Sequence, residues 1–210
     1  MAKEKQVIVI KKPNFKYLTI NIVGTEPLNV HRLSKKLKEE FDARDKNKPI
    51  KKEGSRDKQA EFLNSLYYIN SDCEEISEPI KLTKTSRFGF PASGFKKAMV
   101  SACRQYKNLK MSEMRGRFFV QNRFVEIKGK PVKDEFWRRI GGKGPGTGTP
   151  DIGIRAVFPE WTAQLKIRYN ADVISADSII NLLSTAGFSV GIGEDRPDKS
   201  GNTFGMWKVV

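Results

Sequence analysis

Ala186-Gly187-Phe188-Ser189-Val190-Gly191-Ile192-Gly193-Glu194-Asp195-Arg196-Pro197-Asp198-Lys199-Ser200-Gly201-Asn202-Thr203-Phe204-Gly205-Met206-Trp207-Lys208-Val209-Val210 reads as a helix end, a glycine-rich loop and a closing strand. The glycines permit positive φ and close approach of another molecule. Arg196 and Lys199 put cations in the same loop. Exposed N–H groups and cations converging between a helix and a strand can hold phosphate; a loop that is glycine-rich only because it turns tightly reads the same way. Just upstream, Ser175 suits an N-cap, and Ile179, Leu182, Leu183 and Ala186 share one helical stripe. Gly187 then supplies the C′ stop.

Working outward, residues 17–23 alternate as a first core strand, and residues 27–41 predict a helix with Leu33, Leu37 and Phe41 on one side. Residues 59–68 are helix-like and residues 80–83 offer a short strand. Pro91 can open a helix over 91–107, with Phe95, Ala98, Met99 and Ala102 inward. Residues 117–120 and 123–127 suggest a hairpin around Gln121-Asn122, and 152–158 and 161–169 a second one around Pro159-Glu160. Strand, helix, hairpin strands, helix, strand is the order of an α+β, ferredoxin-like or RRM-like antiparallel sheet with two helices on one face. The other face is then free. A length of 210 residues fits one such domain. Residues 42–84 form a basic, irregular insertion on that frame, and 141–150 a flexible glycine-rich loop.

Lys and Arg number 39 against 24 Asp and Glu, so the net charge of +15 points to a polyanionic partner, nucleic acid first. No apolar run approaches a membrane span or a signal h-region, which predicts a cytoplasmic protein without a membrane partner. Cys73 and Cys103 are the only cysteines and suggest neither a disulfide framework nor a thiolate zinc site. The cations fall in groups. Lys51, Lys52 and Arg56 lie in the insertion, either a solvated loop or an arm that orders on a phosphate backbone. Lys96, Lys97 and Arg104 share the polar face of the helix after Pro91. Arg115, Arg117, Arg123 and Lys128 interleave with Phe118, Phe119 and Phe124, which suits bases stacking on rings while cations follow phosphates, although phenylalanines on strands are commonly core; Arg87 and Phe88, just before Pro91, are further candidates. Arg138, Arg139 and Lys143 flank or enter the 141–150 loop; Gly144 follows Lys143 where a P-loop needs Ser or Thr, so ATP hydrolysis is not supported.

The tail also carries a resemblance. A helix, Gly191-Ile192-Gly193, a charged spacer and Gly201-Asn202-Thr203-Phe204-Gly205 before a last strand resemble the C-terminal glycine-rich signature of the repeat-associated RNA-binding proteins of CRISPR systems. A phage-type relative would read alike. The resemblance implies an RRM-like core that lines up along a guide RNA, in a homo-oligomer or a larger ribonucleoprotein. It places Gly191, Gly193, Arg196, Lys199, Gly201 and Gly205 near the nucleic-acid backbone, and Asp42 or Asp45 where some related subunits carry a cleavage aspartate. With one histidine, His31, no Ser-His-Asp triad or His-rich metal site can be assembled, though a lone histidine can serve as a general base on RNA. Glu194, Asp195 and Asp198 offer hard oxygens for Mg²⁺. The expectation is a non-catalytic, single-stranded nucleic-acid-binding protein, RNA favoured over DNA, with no cofactor or metal. A metal-dependent nuclease and a basic interaction factor, such as a viral inhibitor of a host complex, are the alternatives.

Overall fold

The computed structural model describes residues 11–33, 57–76, 81–140 and 148–210. The protein is α+β, with two antiparallel sheets. β1 (Phe15–Gly24) pairs along one edge with β8 (Thr162–Asn170) and along the other with β9 (Trp207–Val209). β8 in turn carries β4 (Phe118–Val120) and β5 (Phe124–Lys128), and β5 carries β3 (Phe88–Pro91). The order along this sheet is β3-β5-β8-β1-β9. Two helices, α2 (Ala92–Ala102) and α4 (Ala176–Ser189), cover one of its faces, and the short α3 (Met111–Met114) falls between them in the chain. Their buried stripes, Phe95, Ala98, Met99 and Ala102 against Ile179, Leu182, Leu183 and Ala186, meet Ile20, Ile22, Leu165 and Ile167 of the central strands. Strict alternation on β8 puts Ala163, Leu165, Ile167 and Tyr169 inside and leaves their neighbours exposed.

The second sheet is a three-stranded one, β2 (Leu28–Val30), β7 (Thr149–Phe158) and β6 (Val132–Ile140), with α1 (Lys58–Ser65) packed on β7. Phe158 joins the two sheets, its ring 5.6 Å from that of Phe88. Asp57 caps α1 by accepting from the N–H groups of Gln59 and Ala60. Among the described residues no helix is long and apolar enough to cross a membrane.

Several sequence expectations are corrected here. Leu28–Val30, expected to begin a helix, is a strand whose three residues are all buried against Phe158, Val157 and Ala156; the rest of that expected helix beyond residue 33 lies outside the described residues. Neither expected hairpin forms. β4 and β5 lie end to end along β8, with the Gln121 N–H donating to Lys166 O at 2.7 Å, so they extend one another instead of pairing. β7 and β8 belong to different sheets, and the Pro159-Glu160 turn carries the chain between them. The hairpin that does form is β6 with β7, closed by residues 141–147, which lie outside the described set. Residues 81–83 are not a strand, and Ile80 is outside the described residues.

Ser175 does cap α4: its Oγ accepts from the Ser178 N–H at 3.1 Å. Ser175→Ala is expected to destabilise the fold by about 1 kcal/mol in urea unfolding; an unchanged midpoint would mean water replaces the cap without loss.

Candidate nucleic-acid interface

The tail loop is held by its own chain. α4 does not stop at Gly187: the helix runs on to Ser189, and that glycine lets the carbonyl of Trp207 on β9 pack where a Cβ would sit. The stop is Gly191, at φ +68°, where the N–H groups of Val190 and Gly191 both turn back to Ala186 O at 3.0 and 2.9 Å. The loop then threads between two segments. Glu194 N–H donates to Asn29 O at 3.0 Å, Ile192 N–H to Gly205 O at 3.0 Å, and Gly205 N–H to Pro27 O at 2.7 Å. A Cβ on Gly193 would strike Asn29 O, and one on Gly205 would strike Ile192 O. Gly201, at φ +74°, ends the short α5 (Pro197–Ser200) in open space.

The three tail carboxylates are held apart, each by its own partners. Glu194 takes Arg155 Nε on one oxygen at 2.6 Å and His31 Nδ1 on the other at 2.9 Å. Burial would push the Glu194 carboxyl up, but the hydrogen bonds from His31 and Arg155 outweigh it and bring the group from the ordinary 4.5 to about 2. An ionised carboxylate only accepts, so His31 Nδ1 carries the shared proton. Arg155 is buried, at 8% exposure, and also donates from Nη1 to Ile154 O. Asp195 accepts from Asn29 Nδ2 at 3.0 Å, and Asp198 is paired with Arg104. Among the described residues no group of three or more His, Cys, Asp and Glu side chains is placed to share a metal ion. Asp42 and Asp45 lie outside the described residues.

Beside this loop lies a groove of about 310 Å³ lined by Lys97 of α2, Arg196 and Lys199 of the tail, His31, Tyr67 and Phe90. Burial raises the Tyr67 phenol pKa, so the groove wall holds it as a neutral hydroxyl. Lys97 and Lys199 are exposed and have no carboxylate partner among the described residues. Arg196 lines the groove and also staples the loop, with Nη1 donating to Gly193 O at 3.0 Å. The carboxylates that line the groove, Glu194 and Asp198, are already paired with Arg155 and Arg104, so the uncompensated charge of the groove is cationic.

The remaining sequence candidates separate. Phe88 is corrected to core: it is buried, with rings of Tyr68 and Phe158 at 5.5 and 5.6 Å, and offers no stacking face. Arg87 is committed to Glu126 through two hydrogen bonds of 2.8 and 2.9 Å, which hold that carboxyl below its usual range. Arg117 reaches Glu113 at 3.2 Å. Lys96 turns away from Lys97 to sit 3.7 Å above the Phe119 ring, where burial lowers its pKa. Arg115 and Arg123 are exposed, the latter with its guanidinium 5.8 Å from the Phe124 ring. Lys51, Lys52, Arg56 and Lys143 lie outside the described residues, as do the side chains of Arg138 and Arg139 on β6. Sequence reasoning missed Asn29 and Arg155, which anchor the loop; a single asparagine and a single arginine inside apolar strands carry no pattern that would have marked them.

No family model and no curated protein matches the chain. Among solved structures the chain is similar to one titled "CRISPR RNA-guided surveillance complex", at a TM-score of 0.34 and 9% identity. That similarity covers 91% of this chain and 66% of the other, so this chain spans just under two thirds of its length.

Proposed function

We propose that this chain is a non-catalytic, single-stranded nucleic-acid-binding protein on a ferredoxin-like frame, which holds phosphates in the groove beside the tail loop. The observation that carries the reading is the convergence of Lys97, Arg196 and Lys199, from segments far apart in sequence, on one groove whose carboxylates are engaged elsewhere. Such a site attracts phosphate without needing to displace a salt bridge. The strand order β3-β5-β8-β1-β9, with α2 and α4 on one face, supports the ferredoxin-like reading. Preference for RNA over DNA and side-by-side assembly along the strand rest on the resemblance of residues 186–210 to the repeat-associated proteins.

The test is the salt dependence of affinity for a labelled RNA 20-mer. Log affinity should fall linearly with log salt, and Lys97→Ala with Lys199→Ala should flatten that slope by about 1.4, since each single-strand phosphate contact contributes about 0.7. Arg196 is left intact in this variant because it also holds the loop. A slope identical to that of the parent would remove the groove from the interface. Binding to an acidic protein with none to RNA or DNA would favour the interaction-factor alternative, and cleavage of labelled strands with Mg²⁺ or Mn²⁺ would favour the nuclease.

A further inference from the structure

The face of the six-stranded sheet opposite α2 and α4 is uncovered among the described residues, and its composition is unusual for a solvated surface. Phe15, Tyr17 and Phe119 lie on it at 56, 69 and 41% exposure. Register brings them together. Tyr17 on β1 and Phe119 on β4 both stand opposite Arg168 of β8, one on each side, and Phe15 lies one position further along the same face of β1. The Arg168 guanidinium is 5.6 Å from the Phe15 ring and 6.0 Å from the Phe119 ring, and the Lys96 ammonium already covers one face of the Phe119 ring at 3.7 Å, so a base there takes the other face. Lys166 stands opposite Thr19, Lys128 opposite Thr162, and Lys208 opposite Val23, so the same face carries four cations. Glu126 on this side is taken up by Arg87, and Asp72 borders the face beside Lys128 and Lys166, so the cations still outnumber the carboxylates.

Exposed large rings lose free energy to water unless something covers them. A second copy of this chain would bring like charge against like. An unpaired nucleic-acid strand brings π faces for the rings and phosphates for the cations, and satisfies both at once. We infer that this open sheet face is a second binding site, for the bases of a single strand: bases stack on Tyr17 and Phe119 on either side of Arg168, and the phosphates follow Lys166, Lys128 and Lys208. The inference rests on the reading that the chain binds single strands, and it adds base contact to the phosphate contact of the groove. The sequence signal lies in Phe119 and in the alternation of residues 17–23 and 162–169, whose outward positions carry Tyr17, Lys166 and Arg168.

Two probes separate the sites: a fluorescein-labelled RNA 12-mer, and an abasic ribose-phosphate chain of the same length. Tyr17→Ala with Phe119→Ala should weaken the 12-mer about tenfold or more, the scale of base stacking on an aromatic ring, and leave the abasic chain unchanged. Tyr17→Phe, which keeps the ring, should bind the 12-mer as the parent does, and this guards against a mere folding defect. Lys97→Ala with Lys199→Ala should weaken both probes. A double ring variant that binds both probes like the parent, or loses both equally, overturns the sheet site alone. Loss of self-association in that variant with unchanged RNA affinity would assign the face to contact between copies instead. A parent that binds neither probe overturns the proposed function and the sheet site with it.

Discussion

Glu194→Ala is expected to lose about 3 kcal/mol of stability in urea unfolding, at the low end for breaking a buried ion pair because the carboxylate keeps 28% side-chain exposure. The loss comes mainly from what is left behind. Arg155, with its side chain 10% exposed, would keep its charge and lose the carboxylate 2.6 Å away. His31 would lose the oxygen that orients its ring. The same carboxylate governs acid stability. Its folded pKa of about 2 lies below the ordinary 4.5, so the unfolded chain binds this proton more readily. The stabilisation is therefore complete above about 4.5 and is lost as pH falls from there toward 2. The variant should lack that acid limb, while Glu194→Leu with Arg155→Met should recover part of the loss by replacing the pair with apolar packing. Parent-like urea midpoints across the acid range in Glu194→Ala would show that Arg155 finds another partner and that Glu194 does not pin the loop.

Gly205→Ala should be at least as damaging. Its φ of +69° alone disfavours alanine by about 1 to 2 kcal/mol. The added Cβ would also meet the Ile192 carbonyl oxygen, a backbone atom fixed by its neighbours. Together these should exceed about 3 kcal/mol. Gly201→Ala is the internal control: φ is similar at +74°, but nothing lies within 4 Å of the new carbon, so about 1 kcal/mol is expected. Calorimetric melting of the two variants separates them. Equal losses would show that left-handed backbone, and not the crossing of the tail over residues 27–29, is what these glycines serve.

Much of the frame was legible because its elements are long and strongly patterned. α2, α4 with its Ser175 cap, β1 and β8 follow from apolar spacing alone. Partners were not legible. Alternation shows which side of a strand is buried, not which strand lies beside it, and this is why both expected hairpins dissolved into longer-range pairing. Leu28–Val30 is too short for its period to register, and the downstream leucines impose a helical reading on it. At Gly187 the sequence cue was real but its cause was different: the residue is small because Trp207 crosses α4 there, not because the helix ends. In the candidate site, Arg196 and Lys199 were visible from charge and glycine content, as was Lys97 on the polar face of α2. Their convergence required the fold.

The pairing of β1 has a consequence for the life of the chain before it is folded. Residues 15–24 leave the ribosome long before both of their neighbours, 162–170 and 207–209. At about 5 to 20 residues per second, β1 waits roughly ten to thirty seconds with both edges open. An unpaired strand with Ile20 and Ile22 exposed is a template for another nascent chain. Synthesis on crowded polysomes, or an early stop before Trp207, should therefore favour inclusion bodies, and slowing initiation should relieve them. In the finished sheet β1 is bonded on both edges, yet it is made before either of the strands that flank it.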